Sequence, residues 1–254
     1  MFRHKTASAA LVLLAIAANA VARPAMAAAG CSFQDSFLPA NASLPNVAKA
    51  IAAGQPVRIV AIGAGTVTGM GLSSRDAAFP ERLAQRLRTV QKVQSVEVIN
   101  KGKPGANTSV ISNGLTRDIV SAHPTLVLWE TGALEAMMNA DPRQMSNDLE
   151  RGIGIIKAGQ SDVIVIDMPY SAAAAQMIKL EPYLDAVRIG ADNASAPLLG
   201  RYAAMKSWSE QDTMDMDNLP ADQRQKMADE VEDCVGEGLD QIVVRAMMHS
   251  ETSK

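Results

Sequence analysis

The stretch VRIVAIGAGTVTGMG, Val57 to Gly71, runs an apolar strand into a turn carrying Gly63, Gly65 and Gly69 and two hydroxyls, Thr66 and Thr68. A turn of this kind at the end of a strand can cradle a phosphate or present a reactive side chain. The glycines read G-x-G-x-x-x-G, one residue longer than a dinucleotide fingerprint, and the next strand ends in Asn100 rather than in an acid. No Gly-Lys-Ser/Thr follows, so a nucleotide phosphate loop fits worse. Nucleophilic chemistry would need a hydroxyl activated by a base within hydrogen-bond reach. The turn offers only β-branched threonines, which suit a tight turn poorly, and no base of its own.

Other chemically capable residues are sparse. Beyond residue 4 the histidines are His123 and His249. His123, in SAHPTLVL, directly precedes a strand and so belongs at the opposite end of the sheet from the glycine turn; His249 falls in a polar tail, residues 249–254, expected to fray. Asp212, Asp215 and Asp217 crowd together in SEQDTMDMDN, yet they lack the glycine turn and distal glutamate of a calcium loop. They read as a solvated acidic loop, and the chain is expected to hold no metal or cofactor. Met137, Met138, Met145 and Met168 could line an apolar pocket, although such residues more often fill a core.

The elements that must position these residues alternate. VRIVAI from Val57, SVEVIN from Ser95, TLVLWE from Thr125 and DVIVID from Asp162 are β-branched, continuously apolar runs, as in parallel strands covered on both faces. Between them, Phe79, Leu83, Leu87 and Val90 recur at helical spacing, as do Ile111, Leu115 and Ile119. Asp141 and Pro142 supply an N-cap and first-turn proline. Further helices are expected near Val47 to Ala52, over roughly Ala175 to Ile189, and from Pro220 to about Met247. The pattern predicts a three-layer α/β/α sandwich with a parallel sheet, whose ligand site lies beyond the carboxyl ends of the strands.

The amino-terminal segment has the layout of a secretory signal: Arg3, His4 and Lys5, an apolar run from about Ala9 to Ala20, and Ala25-Met26-Ala27 as a cleavage site. The apolar run is shorter than the roughly 18 residues of a membrane span. Acylation of Cys31 fits less well, because Pro24 and several small residues separate it from the apolar run. Residues 1–27 are therefore read as a signal peptide, 28–55 as an amino-terminal extension and 56–248 as the main domain. Cleavage removes three of 24 basic residues and none of 27 acidic ones, taking the net charge from −3 to −6. Such a chain has no electrostatic footprint for nucleic acid. Its two cysteines, Cys31 and Cys234, are both in the exported part, where an oxidising compartment favours pairing them.

Four blocks together resemble the SGNH or GDSL hydrolase family of ester hydrolases, over nearly all of the mature chain. GAGTVTG stands where that family carries its nucleophile motif, with Gly65 in the serine position. NKGKPGANT matches the block with the oxyanion-hole glycine, placing Gly105 there. WETGALEAM keeps Trp129 and Gly132 but has Leu134 where the family has an oxyanion-hole asparagine. DMDNLPADQRQKMA matches the D-x-x-H block, with Asp215 on the acid and Asn218 on the histidine. VIDMPYSA and RYAAMKSW are also similar to stretches of one subgroup.

The resemblance implies a flavodoxin-like sandwich and an ester-hydrolase cleft without its machinery. Gly65 has no side chain, Asn218 cannot accept a proton near neutral pH, and Leu134 donates no hydrogen bond to an oxyanion. Retained are Asp215 and the backbone N–H groups of Gly65 and Gly105, which with Thr66 could contact a carbonyl or anion. The expected protein is a non-catalytic binder of an acylated glycan, a lipid or a protein partner; the alternative is an active carbohydrate or acyl esterase with a non-standard site.

Overall fold

The structure, a computed structural model, describes residues 33–214, 216 and 219–252. Five parallel strands form one sheet: β1 (Val57–Ile62), β2 (Val96–Asn100), β3 (Leu126–Glu130), β4 (Asp162–Ile166) and β5 (Leu198–Leu199), in the order β2-β1-β3-β4-β5. β1 is an interior strand, pairing Val57 with Val96 on one side and Ile59 with Leu126 on the other. The chain thus reverses its direction of sheet growth between β1 and β3. In a flavodoxin-like order this switch opens a crevice at the carboxyl ends of those two strands.

Alternating side chains along β1 feed two cores. Val57, Ile59 and Ala61 pack with α1 (Pro45–Ala52), α2 (Phe79–Thr89), α8 (Arg201–Glu210) and α9 (Ala221–Thr252). Val60 and Ile62 face the other layer, built by α3 (Thr108–Asp118), α4 (Ala133–Met138), α5 (Pro142–Ala158) and α7 (Glu181–Asn193). The three-layer architecture is therefore the one the sequence predicts.

Local signals set several boundaries. The Asp141 carboxylate accepts the Arg143 N–H at 2.9 Å and starts α5. The region expected as one helix near Ala175 to Ile189 is two, α6 (Ala172–Met177) and α7, because Ile178 is extended and Pro182 begins a fresh helix. α8 and the two-residue β5 carry too little periodicity to be read in advance. α9 continues to Thr252, so His249 lies in its last turn rather than in a separate tail. His123 adopts a left-handed conformation just before β3, at the end of the sheet remote from the crevice.

The segment before β1 is integrated into the fold. Asp162, at the start of β4, accepts the Val47 N–H at 2.8 Å and the Asn46 side chain at 2.9 Å, anchoring the first turn of α1. Phe33 packs edge-to-face on Trp208, with ring centroids 5.2 Å apart, and lies against α9 at Gly238. Cys234 is fully buried one helical turn earlier, while Cys31 and the signal segment lie outside the described residues. No described helix is long and apolar enough to cross a membrane.

Candidate functional site

The crevice beyond β1 and β3 is organised around the turn after Ile62. Gly63, at φ +146°, lets this turn pass close to β3: a Cβ there would stand 2.8 Å from the Glu130 carbonyl oxygen. Lys103 N–H bonds to the Gly63 carbonyl at 2.8 Å, and Asn100 donates to the Val67 carbonyl at 2.5 Å. The Asn100 that ends β2 is thus a strut for the turn. Gly65 is different in kind, with φ −66° and ψ −40°, a conformation any residue adopts. Its missing side chain is replaced by a neighbour: the Met70 methyl occupies the space where a Cβ at position 65 would stand.

Beside the turn lies a cavity of about 570 Å³. Met70, Met137, Met168, Met205 and Met216 contribute much of its wall, together with Tyr170 and aliphatic side chains from the α6–α7 connection and α9. Thr66, Arg201 and Glu232 provide its polar part, and Arg224 and Gln225 also border it. Met145 and Met168 are buried in the core and Met138 is exposed, so the methionines singled out in the sequence divide between core, cavity and surface.

The polar part is a buried ionic network. The Thr66 hydroxyl donates to Glu130 Oε1; Glu130 Oε2 accepts from Arg201 Nη1 at 2.8 Å. Arg201 Nη2 donates to Glu232 Oε1 at 2.5 Å, and Glu232 Oε2 accepts the Phe79 N–H at 3.1 Å. The guanidinium also sits over the Phe79 ring, 5.8 Å from its centroid. Burial disfavours the Arg201 charge, but Glu232 and Glu130 outweigh it and hold the group above its ordinary range. Burial pushes the Glu232 carboxyl up, with Arg201 drawing it back in part.

This arrangement decides what Thr66 can do. Its proton is directed at a carboxylate whose other oxygen is already held by a cation. The hydroxyl is thereby tied into the ionic network through Glu130.

Asp167, directly after β4, is buried next to this network. Its carboxylate accepts the Tyr202 N–H at 2.7 Å at the start of α8, and burial raises its pKa to about 7, against the pull of that N–H and of Arg201. The ordinary value is 3.8. Between about pH 4 and pH 7 the folded protein therefore holds a proton that the unfolded chain has released, and stability falls as pH rises through that window. Asp167→Asn keeps an acceptor for Tyr202 and should remove up to about 4 kcal/mol of this dependence. Urea unfolding of both proteins at pH 5 and pH 8 checks it; equal pH dependence in the two would contradict the assignment.

The sequence-matched positions are only partly gathered here. Thr66 is on the cavity wall, and Gly65 is beside it under Met70. Leu134 is half-buried in α4 but does not border the cavity, and Gly105, at φ +78°, is an exposed turn residue with open space around it. The loop bearing Gly105 is nevertheless tied to the turn after β3: Glu135 accepts the Thr108 N–H at 2.5 Å, and the Thr108 hydroxyl lies 2.5 Å from Thr131 Oγ1. Asp215, Asp217 and Asn218 lie outside the described residues. Among the described residues, no group of three or more histidine, cysteine, aspartate or glutamate side chains is placed to hold a metal ion.

Sequence reasoning missed Glu130, Asp167, Arg201 and Glu232. A signal for three of them was present: Glu130 is a charge closing an apolar strand, and Asp167 and Arg201 lie in VIDMPYSA and RYAAMKSW, the stretches most similar to one subgroup of hydrolases. Their polar character is structural support for the crevice.

A parallel sheet in this order, with a cavity at the switch between β1 and β3, matches the sandwich of SGNH-type ester hydrolases. The chain belongs to the Non-GDSL lipase-like family, whose model matches residues 30–249. Among solved structures it is similar to TesA, at 15% identity and a TM-score of 0.57, covering 73% of this chain and 99% of that one. An acetyl xylan esterase from Geobacillus stearothermophilus gives 14% identity and a TM-score of 0.58, covering 74% and 94%. A lipase/acylhydrolase from Enterococcus faecalis gives 20% identity and 0.52, covering 71% and 97%. A comparison with curated proteins finds no match by sequence.

Proposed function

We propose that this chain is an exported, non-catalytic member of its family that binds an acylated glycan, a lipid or a protein partner through the remnant hydrolase cleft. The observation that carries this reading is the substitution of machinery by packing: Met70 fills the place of a side chain at position 65, beside a methionine-walled cavity. Thr66 and Asp215 are the polar groups assigned to the ligand, with the Gly65 and Gly105 N–H groups as donors. Structural neighbours described as esterases acting on acetyl xylan or acetylated mannans make an acylated glycan a reasonable ligand class. The purified mature protein should not hydrolyse p-nitrophenyl acetate or butyrate above the rate in buffer. Turnover that survives purification and is abolished by a serine- or threonine-directed phosphonate would overturn this reading. It would favour instead an esterase with a non-standard site, for which the Thr66 hydroxyl on the cavity wall is the supporting observation.

Export carries a second expectation, a Cys31–Cys234 disulfide stapling the amino-terminal segment to α9. It is supported by Phe33, two residues after Cys31, packing on Trp208 and beside Gly238. Closing so long a loop contributes about 4 to 5 kcal/mol in the chain-entropy model. Intact mass with and without reductant checks it, and two alkylatable thiols in native, freshly exported protein would exclude it.

A further inference from the structure

Methionine is unevenly distributed on the surface. Five of the eight exposed large apolar side chains among the described residues are methionines, and two of them, Met70 at 68% and Met137 at 71% exposure, border the cavity. They reach it from different elements: Met70 from the turn after β1, where its methyl covers Gly65, and Met137 from α4. The thioethers of Met168 and Met205 border the same cavity but are buried, at 1% and 5%. The cavity therefore combines two protected sulfurs, the half-buried Met216 and two side chains that stand largely in solvent.

A thioether is apolar and adaptable, whereas its sulfoxide is polar and carries a strong acceptor oxygen. We infer that Met70 and Met137 form a sulfoxidation site for peroxide-class oxidants, and that their oxidation switches off apolar-ligand binding in the cavity. In each step the sulfur lone pair attacks one oxygen of hydrogen peroxide. An S–O bond forms and the O–O bond breaks. The leaving hydroxide takes the proton of the transferred oxygen and departs as water, so the sulfur is oxidised by two electrons and the peroxide is reduced. The new oxygen is carried on the Met70 sulfur, next to the methyl that covers Gly65 and at the edge of the cavity. A ligand's apolar surface pressed on it leaves that oxygen without a hydrogen-bond partner, a penalty that weakens binding.

The inference rests on the reading of the cavity as an apolar-ligand site, and the experiment separates the two. Fluorescence titration of untreated protein with N-phenyl-1-naphthylamine comes first; absence of binding there would sink the cavity reading, and this inference with it, before peroxide is added. With binding established, graded hydrogen peroxide followed by peptide mapping should show oxidation at Met70 and Met137 while Met168 and Met205 remain intact. Probe affinity should fall by about tenfold or more, the equivalent of one unpaired polar group at the contact. Treatment with the two methionine sulfoxide reductases should restore it.

The molecule contains its own controls. Met138 at 62%, Met177 at 79% and Met248 at 64% are as exposed but do not border the cavity. In a Met70→Leu/Met137→Leu variant these three still oxidise, and its probe affinity after peroxide should equal the value measured for the same variant before treatment. If the variant loses binding as wild type does, or if wild type oxidised at Met70 and Met137 keeps its affinity, the switch is refuted. The reductase arm, made on wild-type protein, decides the matter should the variant fold poorly.

Discussion

Replacing Arg201 by methionine should destabilise the fold by about 3 to 5 kcal/mol at neutral pH, the cost of removing one partner from a buried ion network. Arg201 is 2% exposed, and its two Nη atoms contact Glu130 and Glu232 at 2.8 and 2.5 Å. Without it, two glutamates and Asp167 share a dry site with no cation. They can escape repulsion only by protonation, so the loss should shrink as pH falls towards 5. Lysine should rescue poorly, because a single ammonium cannot span two carboxylates as the planar fork does. Adding Glu130→Gln and Glu232→Gln to Arg201→Met should recover much of the stability, since neutral amides no longer require a counter-charge. Urea midpoints for the four proteins decide the matter. An Arg201→Met loss below about 1 kcal/mol would place the residue among weak surface pairs instead.

The same network explains what could and could not be read from the residues alone. Continuous apolar strands such as TLVLWE and DVIVID predict a parallel sheet because burial on both faces leaves no polar alternation, and the sheet is there. Asp141 and Pro142 mark the start of α5 because capping is local chemistry. Glu130, Arg201 and Glu232 are 31 to 71 residues apart in pairs that touch, and no local pattern announces a contact of that separation. The motif comparison put Gly65 in the serine position, and the structure gives that residue a place in the turn after β1. It could not foresee that Met70, five residues on, fills the gap, since that depends on how the turn folds back. The division of Ala175 to Ile189 into two helices turns on Ile178 becoming extended, where tertiary packing overrides a good helical composition.

Rebuilding the machinery should produce the other large effect, the appearance of ester hydrolysis where the proposed reading expects none. Gly65 already has helical backbone angles, so Gly65→Ser requires no change of φ or ψ. What it requires is space: the Met70 methyl must leave, and Met70→Ala provides the room. Gly65→Ser with Met70→Ala alone should stay inactive, because the carboxylate at the turn, Glu130, is already engaged by Arg201 and Asn218 offers no base. Adding Leu134→Asn and Asn218→His supplies an oxyanion donor and a base, with Asp215 as the group that would orient the imidazole. An error of an ångström in placement costs about 100-fold in rate, so slow turnover of p-nitrophenyl acetate, accompanied by phosphonate labelling at position 65, is the expected result. The decisive comparison is the fourfold variant against the same protein carrying Asp215→Ala. A drop in rate with unchanged folding places Asp215 behind residue 218 in a working triad. Equal rates in the two would mean that the DMDN segment is not the family's acid and base block, and the remnant cleft would then have to be defined by Thr66 and the cavity alone.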